Sequence, residues 1–164
     1  MPWLLRQLLA LVSNFSAADT EQPDKDIEVI PQTTESVIRD SDFFVEPEIF
    51  YYVNALEVKT PAMHRLVCHD DKEITVVTTA AGLADLTIKQ QNQDQWRLLV
   101  INCANPFYCV GFLQKISSAM TAVGLDILLV SAFSRDYVFV QQQHLEQAVA
   151  ILQNIGFVKR ERHN

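Results

Sequence analysis

Residues 96–124 read WRLLVINCANPFYCVGFLQKISSAMTAVG, and this stretch decides the fold of the second half of the chain. Its opening run, 96–101, predicts a strand that is buried on both faces or lies along one edge of a dimer sheet. Apolar residues then recur every three or four positions, which predicts a helix over 106–123 with Asn105 as its N-cap and Gly124 as its C-terminal stop. The predicted apolar face of this helix consists of Cys109, Leu113, Ile116, Met120 and Val123.

The residues that follow predict a hairpin and a second helix. Residues 127–130 and 137–140 are apolar runs joined by the polar turn 133–136, which is typical of paired strands. A helix that ends at Gly156 comes next, and a short strand at 157–158 closes the pattern. The order βαββαβ is the ferredoxin-like arrangement, an α+β fold in which two helices cover one face of an antiparallel sheet.

The preceding half can be fitted to a degenerate copy of the same unit. Residues 65–68 and 74–78 are short runs rich in β-branched residues that flank the polar turn 69–72, and a brief helical turn is expected at 81–86. The sequence therefore predicts tandem units, each with an antiparallel sheet, the first with shortened helices. The predicted division is 1–48, an N-terminal amphipathic segment with an acidic linker; 49–94, the degenerate first unit; and 95–160, the second unit.

The formal charge of −7 lies in the predicted linker. Residues 19–48 contain ten acidic side chains against Lys25 and Arg39, and three prolines lie in 18–48, which predicts a linker or mobile tail. Residues 49–164 carry ten acids and ten bases, so no broad basic surface is available to neutralise the phosphates of a nucleic acid. Nucleic-acid binding is therefore not expected.

The apolar run 1–12, broken by Arg6 and Gln7, is too short to span a bilayer, so no stable membrane insertion is expected. A secretory signal stays open because small residues follow at 16–18, but a charge inside the apolar run favours a short amphipathic helix that docks on the body or on a partner. The three cysteines are an odd number in a chain that needs no disulfide, which favours a reducing, cytoplasmic compartment.

Four stretches resemble the ACT-domain family related to the Castor-type cytosolic arginine sensors, over about residues 50–157. They are residues 64–66, 73–77, 107–112 and 131–137. The family pattern has a Ser-Thr-(Tyr/Phe)-x-x-Asp-(Tyr/Phe) turn, in which this chain has Ala132 in place of threonine. The resemblance implies a sensor or regulatory subunit that binds an amino acid at an interface between paired domains, as a homo-oligomer or with a regulatory protein partner.

The residues themselves predict a ligand site. The first amides of the helix that begins at 105–107 are unpaired and attract a carboxylate, while Asp136 is expected to hold an ammonium group or a cationic side chain. The same residues also fit a simple turn and helix cap, which need no ligand. The candidate ligand-binding residues are Asn102, Asn105, Phe107, Gly111, Ser131, Phe133, Ser134 and Asp136.

No catalytic, metal or cofactor site is predicted. Strand alternation places His64 and Cys68 on one face and His69 on the other, which disfavours zinc. The sequence contains no nucleophile elbow and no phosphate-binding glycine loop. We therefore expect a non-enzymatic sensor without a cofactor. The alternative is a non-sensing interaction module that recruits a protein partner through its sheet edges and residues 3–5, with a vestigial pocket.

Overall fold

The computed structural model describes residues 32–105 and 107–162. Its strands form one mixed and one antiparallel sheet, and short 3-10 helices lie in several connections. In chain order they are α1 Thr34–Asp40, β1 Asp42–Val45, β2 Tyr51–Val58, β3 Leu66–His69, β4 Ile74–Thr78, β5 Leu86–Gln91, β6 Trp96–Asn102, α2 Phe112–Thr121, β7 Ile127–Ser131, β8 Asp136–Gln141, α3 Leu145–Asn154 and β9 Val158–Lys159.

The second unit has a sheet with the strand order β7-β8-β6-β1-β9. Strands β6 to β9 with helices α2 and α3 follow the βαββαβ order, which confirms the predicted ferredoxin-like fold. Helices α1, α2 and α3 contribute to one core with the sheet, and the pleat of β6 sends Leu99 and Ile101 into it. The opposite face of the same strand, with Leu98 and Val100, contributes to a second core.

The first unit is a smaller copy of this topology. Its strand order, β3-β4-β2-β5, is the ferredoxin-like order for four strands in sequence, and all neighbouring strands are antiparallel. The 3-10 helices Pro61–Met63 and Ala81–Asp85 occupy the positions of the two helices. The predicted shortening of the helices is therefore observed. Strand β5 was not predicted, because residues 87–91 are polar except for Ile88.

An aromatic core joins the two units. Tyr52 of β2 lies edge-on to Trp96 and Phe139, with ring centroids 5.5 Å apart in each case. Phe50 also lies edge-on to Phe139, at 5.9 Å. The Tyr52 hydroxyl is buried without a hydrogen-bond partner among the described residues, and burial raises the pKa of this phenol above its ordinary value. Apolar contact and edge-on ring geometry therefore stabilise this aromatic core.

The prediction of a linker or mobile tail up to residue 48 is wrong for the segment 34–45. Helix α1 and strand β1 are integral to the second unit, because Val37, Ile38 and Phe43 are at most 1% exposed. Strand β1 pairs antiparallel with β6 and parallel with β9, so it lies between the first and last strands of the ferredoxin-like order. Residues 1–31, with the predicted N-terminal helix and most of the acidic linker, lie outside the described residues.

The helix predicted over 106–123 is shorter, because α2 begins at Phe112 and ends at Thr121. Gly111 precedes it with a φ of 84°, a left-handed conformation that interrupts any helix from upstream. The buried stripe is Phe112, Ile116 and Met120, at a spacing of four, whereas Leu113 and Val123 are partly exposed. Asn105 is therefore not the N-cap, and Gly111 lies before the helix rather than within it.

A polar cluster fixes the 3-10 helices of the first unit. The fully buried His64 ring contacts Thr78 Oγ1 through Nδ1 at 2.8 Å and Asp85 Oδ2 through Nε2 at 3.1 Å. The Thr60 amide also donates to Asp85 Oδ2, and this hydrogen bond lowers the pKa of that carboxyl. Gly82 lies against the cluster, where an added Cβ would be 2.0 Å from Thr78 Oγ1.

We expect Phe43→Ala to lower the free energy of unfolding by roughly 3–5 kcal/mol, because it removes a fully buried ring from the second unit. Chemical denaturation of the full chain measures this loss. Phe133→Ala is the matched control, because its ring is 83% exposed, and it should change stability little. Equal stability of the two variants would mean that β1 is not part of the core.

We expect Gly82→Ala to destabilise the protein by roughly 1–3 kcal/mol, because the added methyl group overlaps the Thr78 hydroxyl. A double-mutant cycle with Thr78→Ala measures the coupling energy between the two positions. Removing the hydroxyl should relieve part of the stability loss caused by Gly82→Ala. Strictly additive losses would contradict the close approach of these residues.

Candidate functional site

A cavity of about 320 Å³ lies between the beginning of α2 and the β7–β8 hairpin. Its walls include four of the eight residues predicted from sequence: Phe107, Gly111, Ser131 and Asp136. The other lining residues are Cys109, Phe112, Leu113 and Gln114. The hairpin and the helix start, which the sequence predicted to face one pocket, therefore do so in the second unit.

Asp136 supplies a buried carboxylate to this cavity. It is the first residue of β8, lies opposite Ser131 and Ile101 on the neighbouring strands, and is only 6% exposed. Ser131 Oγ donates a hydrogen bond of 2.5 Å to Asp136 Oδ1. Within the described part of the chain no Lys, Arg or His side chain forms an ion pair with Asp136. A buried carboxylate that lacks a cation favours a positively charged ligand group.

The beginning of α2 contributes partial positive charge to the same cavity. The amide of Phe112 donates to the carbonyl of Cys109 at 3.4 Å, and the amide of Lys115 donates to the carbonyl of Gly111 at 2.9 Å. Among the described residues, the amides of Leu113 and Gln114 have no acceptor outside the helix, and both residues line the cavity. Unpaired amides at a helix N-terminus carry partial positive charge and stabilise an anion.

The other predicted site residues lie elsewhere. Phe133 is 83% exposed, and its ring centroid is 5.0 Å from that of Phe107 in an edge-on contact. Ser134 is exposed in the hairpin turn. Asn102 donates to Asp42 Oδ1 at 2.6 Å, and Asn105 donates to Gln32 Oε1 at 3.3 Å. The structure therefore gives these two amides structural contacts and brings neither of them into the cavity.

Sequence reasoning missed Leu113 and Gln114 because it placed the helix start at Asn105. The available signal was Gly111, a residue that favours the left-handed conformation found there. A helix that begins after this glycine presents the first amides from residues 112–114 instead of 105–107. The amides expected to contact a carboxylate therefore belong to residues 112–114 rather than 105–107. Asp136 lines the cavity, as the sequence predicted.

Two groups of residues resemble nucleophilic sites: the Cys103 thiol and the cluster of Thr78, His64 and Asp85. Burial raises the pKa of the Cys103 thiol, and the charge of Asp136 adds to the shift, so the thiol stays protonated near neutrality. Thr78, His64 and Asp85 are linked like a hydrolytic triad, but Thr78 is fully buried and out of reach of a substrate. We interpret that cluster as structural.

Across residues 32–105 and 107–162, His, Cys, Asp and Glu side chains form no group of three or more that suits a metal ion. In the same segments, no helix combines the length and the apolar character that crossing a membrane requires.

Residues 91–154 match the family model of the ACT domain, which covers β6 to α3 and all lining residues of the cavity. The matched residues lie mostly within the second unit. No curated protein sequence matches the chain.

Solved structures resemble the chain in fold. A Vibrio cholerae protein of unknown function, described as a possible transport protein, aligns with a TM-score of 0.63 and 13% identity over 74% of this chain and 94% of that one. A protein from Agrobacterium tumefaciens aligns at 0.58 and 18% identity, over 76% of this chain and 95% of that one. The ligand-free regulatory subunit of aspartate kinase from Thermus thermophilus aligns at 0.50 and 9% identity, over 69% and 95%. These identities establish the fold alone.

We expect Gly111→Ala to cost roughly 1–2 kcal/mol of stability, because alanine is disfavoured in the left-handed backbone conformation found before α2. The space itself is open, since an added Cβ would lie 3.6 Å from Thr34 Oγ1. Gly111→Asn should cost less, because asparagine tolerates this conformation better. Chemical denaturation ranks the variants, and an alanine variant as stable as the asparagine variant would contradict the backbone explanation.

Proposed function

We propose that this protein is a non-catalytic regulatory protein that binds a free α-amino acid in the cavity of its ACT domain. One observation carries the proposal: the buried carboxylate of Asp136, without a cation among the described residues, lines the same cavity as the amides at the beginning of α2. An α-amino acid has an ammonium group and a carboxylate on one carbon, so its two charges match the two polarities of this cavity.

The roles of the residues follow from this match. Asp136 accepts hydrogen bonds from the ligand ammonium group. Ser131 positions the carboxylate of Asp136 through its hydrogen bond to Oδ1. The ligand carboxylate receives hydrogen bonds from the amides of Leu113 and Gln114. Phe107 lies at the rim, where its half-exposed ring can contact the ligand side chain. These contacts hold the groups that all α-amino acids share, so they do not specify which amino acid binds.

The similar proteins support a regulatory role. ACT domains generally bind small ligands in regulatory proteins, and one of the fold neighbours is the regulatory subunit of an aspartate kinase in a ligand-free form. We extend this role to the present chain and propose a cytoplasmic sensor of the Castor type. The predicted units 49–94 and 95–160, with α1 and β1 added to the second, are the proposed functional division.

A second copy of the chain is the proposed partner at the cavity mouth, forming an ACT–ACT interface. All lining residues come from the second unit, and large apolar side chains beside the mouth are exposed. They are Phe107, Tyr108, Val110 and Phe133, with exposures of 59%, 84%, 92% and 83%. A ligand that binds the dimer more tightly than the monomer shifts the equilibrium between them, which is how binding becomes a regulatory signal.

We expect at least one amino acid from a panel of the twenty to raise the thermal unfolding temperature of the full chain. A ligand at about 100 times its Kd adds about 2.7 kcal/mol to the stability of the folded state. Asp136→Asn and Asp136→Ala should abolish the shift, because both remove the charge that holds the ammonium group. Asp126→Asn, at an exposed position, is the control for net charge. A panel without any shift would contradict the proposal.

The same exposed aromatic surface favours a second candidate, a protein-interaction module with a vestigial cavity. In that case a protein partner would bind the surface formed by Phe107, Tyr108, Val110 and Phe133. Removal of residues 1–12 would abolish partner capture if that segment contributes, whereas Asp136→Asn would leave capture unchanged. Amino-acid stabilisation that depends on Asp136 distinguishes the sensor from this module.

A further inference from the structure

A larger cavity of about 510 Å³ is lined by residues of both units and shares no residue with the amino-acid cavity. It is bounded by the ends of β1 and β6, the β7–β8 turn, the residues after β9 and the loop before β3. Its lining is dominated by charged side chains: Arg65, Arg135, Arg160, Arg162, Asp42, Glu46 and Glu161, with Phe44 and Asn102. Its volume lies in the range of small-molecule sites.

We propose that this cavity binds a small metabolite through an oxyanion group, either a carboxylate or a phosphate. Four guanidinium groups and three carboxylates line it. A fourth carboxylate, that of Glu48, lies 4.0 Å from Arg162 Nη1. Arginine presents a planar fork of donors that fits both kinds of oxyanion.

Two of the guanidinium groups form ion pairs with the buried carboxylate of Glu46. Arg65 Nη2 donates to Glu46 Oε1 at 2.7 Å, and Glu46 is only 3% exposed in its side chain. Arg162 Nη1 lies 2.8 Å from Glu46 Oε2, close enough for an ion pair but without hydrogen-bond alignment. Since Arg65 follows the first 3-10 helix and Glu46 follows β1, this pairing links the two units and has a structural role of its own.

The other two guanidinium groups lack such a partner. Arg135 forms no ion pair among the described residues, and its guanidinium lies 6.0 Å from the ring of Phe44. Arg160 Nε lies 3.7 Å from Asp42 Oδ2, too far for a hydrogen bond, while Asn102 already donates to the other oxygen of Asp42 at 2.6 Å. Arg135 and Arg160 are therefore the groups expected to receive the oxyanion, with Phe44 as an apolar wall.

The cavity is lined by residues of both units, because Arg65 belongs to the first unit, and Arg135, Arg160 and Arg162 belong to the second. An oxyanion held by Arg135 and Arg160 contacts the second unit directly and lies in the same cavity as the Arg65–Glu46 pair that links the units. This site does not depend on the amino-acid site, so one can fail without the other.

The experiment is isothermal titration and thermal unfolding of the full chain with inorganic phosphate and with succinate, each at constant ionic strength set with sodium chloride. We expect saturable binding of at least one probe and a rise in unfolding temperature. The double variant Arg135→Gln with Arg160→Gln should weaken binding at least tenfold. Both side chains are exposed and neither pairs with Glu46, so the variant should fold.

The control is Arg39→Gln, an exposed arginine on α1 whose only ion pair among the described residues is with Asp40 at 3.8 Å. It should keep wild-type binding. Asp136→Asn should also keep it, which separates this site from the amino-acid site. Binding of phosphate alone identifies a phosphate ligand, and binding of succinate alone identifies a carboxylate. Absence of saturable binding for both probes, or equal binding by the double variant, would overturn the proposal.

Discussion

The two-sided burial of β6 is the constraint on which the rest of the structure depends. In a strand, successive side chains point to opposite faces, so Leu99 and Ile101 enter the core beneath the helices while Leu98 and Val100 enter the core shared with the first unit. A shift of register by one residue would exchange these two sets. Both cores are apolar, but their partners differ, since one packs against helices and the other against aromatic rings. The position of Asn102, at the end of this strand, follows from the same register.

Elements with strong local patterns were predictable from the sequence. Strand β6, the β7–β8 hairpin and α3 before Gly156 have continuous apolar runs or a regular three-to-four spacing, and their predicted positions are confirmed. Strand β1 was missed for a physical reason. Its side chains Phe43 and Phe44 lie among acidic residues and prolines, and its burial comes from pairing with β6 and β9, which are distant in sequence. Local composition does not contain that tertiary information.

The candidate site was only partly predictable, because Asp136 depends on a local sequence pattern whereas the helix amides depend on where α2 begins. Asp136 starts a hairpin strand whose pattern is local, so its place could be inferred from sequence. The helix amides depend on where α2 begins, and a proline after Asn105 favoured a start that the left-handed Gly111 does not permit. The arginine cavity had no sequence signal, because Arg65, Arg135 and Arg160 come from three separate parts of the chain and only the tertiary fold assembles them.

The pairing of β1 has a consequence for how the chain becomes a folded protein. The whole first unit lies between β1 and its antiparallel partner β6, and nearly the whole described chain lies between β1 and its parallel partner β9. During synthesis β1 therefore emerges before β6 and has no strand of its own sheet to pair with until β6 follows. The first unit, whose contacts are closer in sequence, can form before the second unit that surrounds it in the chain. Until β6 emerges, the apolar residues of β1 remain exposed, so this short segment needs protection during synthesis.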